Sequence, residues 1–319
     1  MSQDGSTDSR TGVSWKTGES AGQSQTTEPA SRSGGSAQPG LAAIIVYFRT
    51  RPSLTSCLHG LRTQTSPPDE IIVVDNSSAV DGLDVRPVPG EDWRWVRAER
   101  NLGFGAACNL GAQIAHSDHL LFLNADVVLR DDACEQLRSA AESSPGTGVI
   151  GPRIYGADGR IELSARTFPS VTTGLLGRSS LLTQMLARLR RTPSGVAAAL
   201  GPAGRVDWIS GACMLMPREA FDQVGGFDEN YWMYWEDADI CRRLKDRGWD
   251  AMLCTDARSH HSTGSSGQSR RTIEAFHMSA AHYYERHVAR NAVTARLARG
   301  ALKARMSVML HRHARRKAN

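Results

Sequence analysis

The sequence has no run approaching about 18 uninterrupted apolar residues, so no segment reads as a transmembrane helix. No apolar stretch follows the polar N-terminus, so no secretory signal is expected. Its six cysteines (Cys57, Cys108, Cys134, Cys213, Cys241 and Cys254) include no Cys-x-x-Cys pair. That scatter predicts reduced thiols in a cytosolic protein and argues against a disulfide framework or a structural zinc site. Large apolar side chains are nearly missing from residues 1–39, with Trp15 the exception. Such a segment cannot bury enough surface to offset its ordering entropy, so 1–39 reads as a disordered leader. Acidic residues are missing altogether from Arg286 to Asn319, a stretch that carries ten Lys and Arg.

What is present is enough for a sizeable core. The chain has 319 residues, 40% hydrophobic and 22% charged, which suits one large domain or two small ones and excludes a fully disordered chain. The formal charge is +5, so the body outside the last stretch is net acidic. A basic tail on such a body favours a polyanion, either nucleic acid or an anionic membrane surface.

Strand and helix patterns alternate. LAAIIVYF (41–48), EIIVVD (70–75), WRWVRA (93–98), HLLFLNADVVL (119–129) and GVIGPRI (148–154) read as strands. The runs at 70–75 and 119–129 are apolar without alternation, as in strands covered on both faces. Helices are predicted at about 52–65 and 131–143, and Asn101 to about Ala115 reads as a glycine-rich turn followed by a helix. RVDWISGACMLMP (205–217) reads as one strand with a central glycine, followed by a short helix closed by Gly225 or Gly226. EDADICRRLKDRG (236–248) reads as a helix, 251–257 as a strand, HHSTGSSG (260–267) as a polar loop, and the last 45 or so residues as helical. Residues 156–205 are expected to form a helical insertion or a mobile loop. The alternation predicts an α/β fold with a mainly parallel central sheet flanked by helices, in which ligands bind beyond the carboxyl ends of the strands. Asp75, Asn76, Asn124 and Asp126 fall at those ends.

Each of these residues has a plain structural reading beside a chemical one. Asp75 suits an Asx turn, or an acceptor for a nucleoside base or ribose. Asp126 suits a helix or turn cap, or one carboxylate of a Mg²⁺ or Mn²⁺ site completed by substrate phosphates. NLGFGAACNLG (101–111) departs from GxGxxG and follows the third strand, so a dinucleotide site is not expected. In YWMYWEDADIC (231–241), Glu236 and Asp237 complement a helix N-terminus. The dense aromatics beside them also fit a sugar site, where rings stack on sugar faces and a carboxylate takes a hydroxyl proton. The pair His260-His261 reads as an ordinary surface loop, or as a partner to a carboxylate on a divalent ion.

Together, VVDNSS, NLGFGAACNLG, LNAD and WISGACMLMPREAFDQVGGFDENYWMYWEDADICRR resemble the family 2 glycosyltransferases of GT-A fold, over roughly residues 41–290. The last and longest motif looks most like their rhamnosyltransferase branch. The resemblance implies a nucleotide-diphospho-sugar transferase domain over 40–285, preceded by the leader and followed by a basic helical tail at 286–319. It implies donor contacts from Asp75, Asn101, Gly103, Asn124 and Asp126, and a divalent cation held by Asp126 with His261 of an HxxGxS motif (Gly264, Ser266). His260 is the fallback ligand. It implies Asp237 as general base with Glu236 assisting, and an acceptor site shaped by Trp208, Gly211 and Trp235. Asn124 stands where the family's DxD motif has its first aspartate, which removes a charge from the cation site.

The expected reaction is inverting transfer of a sugar, L-rhamnose from dTDP-L-rhamnose in the first instance, to a polyprenyl-diphosphate-linked N-acetylglucosamine in cell-envelope polysaccharide synthesis. The expected setting is cytoplasmic and peripheral on the inner face of the plasma membrane, with the tail on anionic lipid and no nucleic-acid partner. The alternatives are another donor or acceptor within the family, or a nucleic-acid-binding protein that uses the same tail.

Overall fold

The computed structural model describes residues 40–49, 51–77, 92–169, 204–262 and 269–318. The expected leader at 1–39, most of 156–205, and Gly264 and Ser266 lie outside these residues.

Strand β1 (Leu41–Tyr47) sits inside a nine-stranded sheet with helices on both faces. Its odd-numbered residues Leu41, Ala43, Ile45 and Tyr47 enter one core with Leu54, Cys57, Leu58 and Leu61 of α1 (Arg51–Arg62) and Ala133, Cys134 and Leu137 of α3 (Ala133–Ser143). Its even residues Ala42 and Ile44 enter a second core with Ala107, Cys108 and Leu110 of α2 (Phe104–Ile114). Residues of α5 (Glu236–Asp246) and α6 (Arg270–His287) complete that second core. Both faces are dry, so both side-chain sets must be apolar, which is why the strand sequence runs without alternation. Each fully buried aliphatic side chain contributes about 1.5–3 kcal/mol to this arrangement.

The sheet order is β3 (Arg94–Arg97), β2 (Glu70–Asp75), β1, β4 (His119–Asn124), β10 (Cys213–Pro217), β6 (Thr147–Gly156), β11 (Asp250–His261) and β5 (Val127–Leu129), with β8 (Gly204–Val206) beside β11. Strands β2 and β4 flank β1 in parallel, and β3 is parallel to β2. Strand β10 is antiparallel to both β4 and β6, so β6, and β11 beside it in parallel, run the same way as the first block. The sheet is therefore mixed and mostly parallel.

Register places the polar strand ends together. Tyr47 pairs with Asp75, and Val46 pairs with Asn124, so three carboxyl ends reach one edge. Cys213 pairs with Leu123, which brings Gly211 and Ala212, just before β10, to the same edge.

Some elements differ from expectation. The run at 119–129 is two strands, because a turn at Ala125-Asp126 separates β4 from β5 (Val127–Leu129) and sends β5 to pair with β11 instead of β1. The run at 205–217 is three pieces: β8, β9 (Trp208–Ile209) and β10. Ser210–Ala212 form the break, and β9 pairs with β7 (Ala165–Arg166) in a separate two-stranded sheet. Residues 156–166, expected within a helical or mobile stretch, hold no helix: a turn follows Gly156, Ile161 bridges to Tyr155, and Ala165–Arg166 form β7. His260-His261 do not open a loop; they are the last two residues of the 12-residue β11.

Helix α4 (Arg218–Gln223) ends before Gly225 and Gly226, both at positive φ. Helix α7 (Ala292–Ala318) packs back on α6 through Ala298 and Leu302, so the basic segment is not a free extension. No helix among the described residues is long and apolar enough to cross a membrane. All six cysteines are free and buried.

Candidate active site

Asp237 enters the edge from the first turn of α5. Its Oδ2 accepts a hydrogen bond from the Gly211 N–H at 3.1 Å, and its Oδ1 accepts from the Ala238 N–H at 2.8 Å. Next in the chain, Ala212 offers its carbonyl to the Asn124 N–H at 3.0 Å. The β4 end and the α5 start are thus joined through two consecutive residues. A side chain at Gly211 would meet the Phe104 ring at 3.1 Å, so the position favours glycine.

Asp126 follows in the turn after β4. Its Oδ1 lies 3.2 Å from His261 Nε2, and His261 Nδ1 lies 3.0 Å from Glu162 Oε2. The pairing of His261 with Val127 and Gly156 in β11 sets this contact. His260, its neighbour in the strand, lies with its ring beside Tyr155. Burial opposes the charged imidazole, but the hydrogen bonds and charges of Asp126 and Glu162 outweigh it and lift the His261 pKa to about 9. Glu162 gave no signal in the sequence. It lies in the stretch whose pattern was unreadable, 99 residues from the histidine it contacts.

Bonds of about 2.0–2.2 Å to a small divalent ion put neighbouring ligand atoms about 3 Å apart. Asp126 Oδ1 and His261 Nε2 have that spacing, with Glu162 placed to receive the other ring N–H. Among the described residues no group of three or more metal-ligating side chains gathers. These two side chains fit a divalent ion that takes its other ligands from substrate phosphates and water.

Asn101 and Gly103, expected on the donor side, sit in a turn. Asn76, buried past β2, accepts from the Leu102 N–H at 2.8 Å and donates to the Gly103 carbonyl at 3.0 Å and to Asn101 Oδ1 at 3.3 Å. Asn101 Oδ1 also accepts from the Gly103 N–H. Gly103 has φ 91°, and a Cβ there would sit 2.0 Å from the Trp232 carbonyl oxygen. The turn therefore rests directly on the backbone of the aromatic segment, and Phe104 N–H donates to that carbonyl at 3.1 Å.

A cavity of about 510 Å³ opens beside it, lined among others by Phe48, Arg49, Arg100, Asn101, Trp232 and Arg271. Asp126, Asp237 and His261 do not line this cavity; Phe104, packed against Gly211, lies between the two regions. Asp75 is fully buried. Its Oδ2 pairs with Arg97 Nε at 2.8 Å and its Oδ1 accepts from the Ser77 N–H, so here it forms the Asx turn.

Several acceptor-side expectations land inside the protein. Glu236 is 6% exposed, and its Oε2 has no hydrogen-bond partner among the described residues. Burial, then the charges of Asp237 and Asp239, push its pKa well above the ordinary value. Trp208 is buried and donates its indole N–H to the Thr167 carbonyl at 3.0 Å. Trp235 is partly buried among Phe276, Tyr283 and Tyr284.

Tyr234 and Trp235 have φ 67° and 73°, consecutive left-handed residues that cost about 1–3 kcal/mol each and turn the chain sharply into α5. Of the remaining acids, Asp239 is fully buried between Arg243 Nε and His287 Nε2, each at 2.7 Å. Asp228 takes Arg286 and His282. These two pin α6 to the acidic segment, and their role is structural.

Comparison with known proteins places these features in context. The family model described as "Glycosyl transferase family 2" matches residues 42–225, and one described as "N-terminal domain of galactosyltransferase" matches residues 191–285. The chain is 33% identical over 256 residues to the N-acetylglucosaminyl-diphospho-decaprenol L-rhamnosyltransferase of Mycobacterium tuberculosis, covering 76% of this chain and 81% of that protein. Over 131 residues it is 28% identical to the rhamnosyltransferase WbbL of Escherichia coli, covering 41% and 47% of the two chains.

Among solved structures it resembles GalNAc-T7 with UDP, GalNAc and Mn²⁺ (TM-score 0.56, 20% identity, 79% of this chain), of which it spans about half, 48%. It also resembles the mannosyltransferase PcManGT of Pyrobaculum calidifontis with GDP-Man and Mn²⁺ (TM-score 0.51, 13% identity, 89% and 82% of the two chains). At these identities the structures speak to the fold alone, and the fold is GT-A.

Proposed function

The chain belongs to glycosyltransferase family 2, and from that premise we propose that it transfers L-rhamnose from a nucleotide-diphospho-sugar to a polyprenyl-diphosphate-linked N-acetylglucosamine in cell-envelope polysaccharide synthesis. The observation that carries the reading is the seat of Asp237. Its carboxylate is oriented by two backbone N–H groups, one residue from the carbonyl that holds the β4 end, with Asp126 two residues beyond that end. The printed name of the Mycobacterium tuberculosis relative supports the choice of donor sugar and acceptor.

In this reading the acceptor hydroxyl attacks the anomeric carbon in a single displacement with inversion. Asp237 takes the hydroxyl proton, since a carboxylate that accepts two N–H bonds still has lone pairs to offer. Asp126 and His261 would hold a Mg²⁺ or Mn²⁺ ion, and Glu162 would fix the His261 ring behind it. A bound ion supplies charge stabilisation to the departing nucleotide diphosphate. Asn124 lines the same edge as a neutral neighbour. The arginine-bearing cavity beside Asn101 and Gly103 suits the nucleotide end of the donor, with Phe48 and Trp232 as apolar walls. Gly211 and the exposed Tyr234 border the acceptor side. The catalytic unit is residues 40–285, acting on the cytoplasmic side of the membrane that carries the acceptor lipid.

The test is a donor screen. Labelled nucleotide sugars are offered with a polyprenyl-diphospho-N-acetylglucosamine analogue. Preferential transfer from dTDP-L-rhamnose is expected; transfer from another donor, or onto another acceptor only, would replace the sugar or the acceptor while leaving the family intact.

A further inference from the structure

Helix α7 is apolar on two separate sides, centred about 120° apart at about 100° per residue. One side carries Ala298 (8% exposed) and Leu302 (3% exposed) and packs on α6. The other carries Val293, Leu297 and Val308, which are 63%, 69% and 51% exposed. At 3.6 residues per turn these three fall in one stripe with the exposed Ala301 and Ala304, and His311 and Arg315 continue it toward the C-terminus. Arg296 and Lys303 border the stripe on one side, Arg305 and Arg312 on the other. The helix does not drift, because Asn291 Oδ1 caps the Thr294 N–H at 2.9 Å and Arg299 pairs with Glu285 of α6. A helix that has already buried one apolar side has no folding reason to carry a second outward one.

We propose that this outward stripe of α7 is a docking face for an anionic lipid bilayer, with Val293, Leu297 and Val308 entering the headgroup boundary and the flanking cations resting on lipid phosphates. The charge decides between occupants. No acidic residue occurs from Arg286 to Asn319, so two copies of this face would set its flanking cations against like charges with no acid to offset them. A nucleic acid would satisfy the cations but leave the aliphatic stripe wet. A bilayer satisfies both at once. The proposal rests on the polyprenyl-linked acceptor for its purpose, which is to hold the site at the depth where a lipid-borne sugar arrives.

The experiment is flotation of the full chain with vesicles of phosphatidylcholine and phosphatidylglycerol, and with phosphatidylcholine alone. A triple variant, Val293→Gln, Leu297→Gln and Val308→Gln, keeps every charge and a good helix former at each position. The wild type is expected to float with the anionic vesicles. The variant is expected to partition at least about tenfold less at unchanged helical content, because insertion scales with buried apolar area. Equal partitioning of the two proteins would overturn the stripe. So would a wild-type dimer that the triple variant converts to monomer in light scattering, since the occupant would then be a second copy.

Sugar transfer to a water-soluble, short-chain acceptor separates this proposal from the functional one. A wild type that floats but transfers nothing keeps the docking face and loses the proposed reaction. One that transfers but does not float loses only the docking face.

Discussion

The Glu162 carboxylate holds the Nδ1 edge of His261 at 3.0 Å, which turns the Nε2 edge toward Asp126. The bridge between Tyr155 and Ile161 brings Glu162 there, and Gly156 leaves it room, since a Cβ at that glycine would sit 3.0 Å from its Oε1. Glu162→Gln keeps the shape and removes the charge behind the ring. Carboxylates behind a ligating histidine typically contribute 10–100-fold in metal affinity. The expected outcome is Mn²⁺ binding weakened by at least about tenfold in calorimetry without substrate. Unchanged Mn²⁺ affinity, with unchanged ¹⁵N shifts of the His261 ring, would remove Glu162 from the site.

Asp237→Asn keeps one acceptor oxygen, for the Gly211 N–H, and gives up the bond to the Ala238 N–H within the first turn of α5, so the fold and the donor KM should stay close to wild type. The rate constant kcat should fall by at least about 10²-fold, the usual scale for loss of a general base. Turnover within a few-fold of wild type would refute the role of this residue.

Glu236 provides a pH signature of a different kind. Its pKa is raised in the folded state, so below the ordinary value of 4.5 both folded and unfolded chains hold the proton. Above that value the unfolded chain releases its proton while the folded chain keeps it, and stability declines as pH climbs toward the raised folded value. Glu236→Gln mimics the neutral acid and removes the decline. The variant should melt above the wild type at pH 8, and the gap should close toward pH 4. A gap of equal size at both pH values would show that the buried acid is not held neutral.

Gly103→Ala tests the support of the Asn101 turn. The substitution forces a Cβ to within 2.0 Å of the Trp232 carbonyl at φ 91°. Left-handed strain and overpacking together should cost roughly 2–4 kcal/mol in urea unfolding. Gly146→Ala is the control, because Gly146 has φ 88° with nothing within 4 Å of the added atom. It should lose only the strain, about 1–2 kcal/mol. Equal losses at the two positions would mean that the Trp232 contact yields easily.

The strands of this fold were legible because both faces of the sheet are dry, and the apolar runs at 41–47, 70–75 and 119–124 carry that directly. The breaks inside two longer runs were not. Asn124 and Asp126 interrupt the first run and Asp207 and Ser210 the second, but only pairing with distant strands decides that the chain turns there. Asp126 and Asp237 were legible as residue types at strand and helix ends, whereas His261 was expected in a loop and instead ends β11. Their company was less so. Glu162 belongs to no local pattern, and Asp228 and Asp239 look in sequence like more of the acidic constellation, though their partners are cations of α5 and α6. Glu236 beside Asp237 reads as a pair, yet consecutive helical residues point about 100° apart, so one faces the core and the other the edge.

Strand β10 lies between β4 and β6 but is made after both, and it alone carries Gly211 to the seat of Asp237. The block β1–β4 closes through short crossovers as it leaves the ribosome, whereas the β4–β10 pairing must wait for a much longer loop to close. Loop-closure entropy thus gives the sheet a direction of assembly: it favours the pairing of β1, β2 and β4 first, and the seat that Gly211 offers Asp237 is complete only once β10 has found β4.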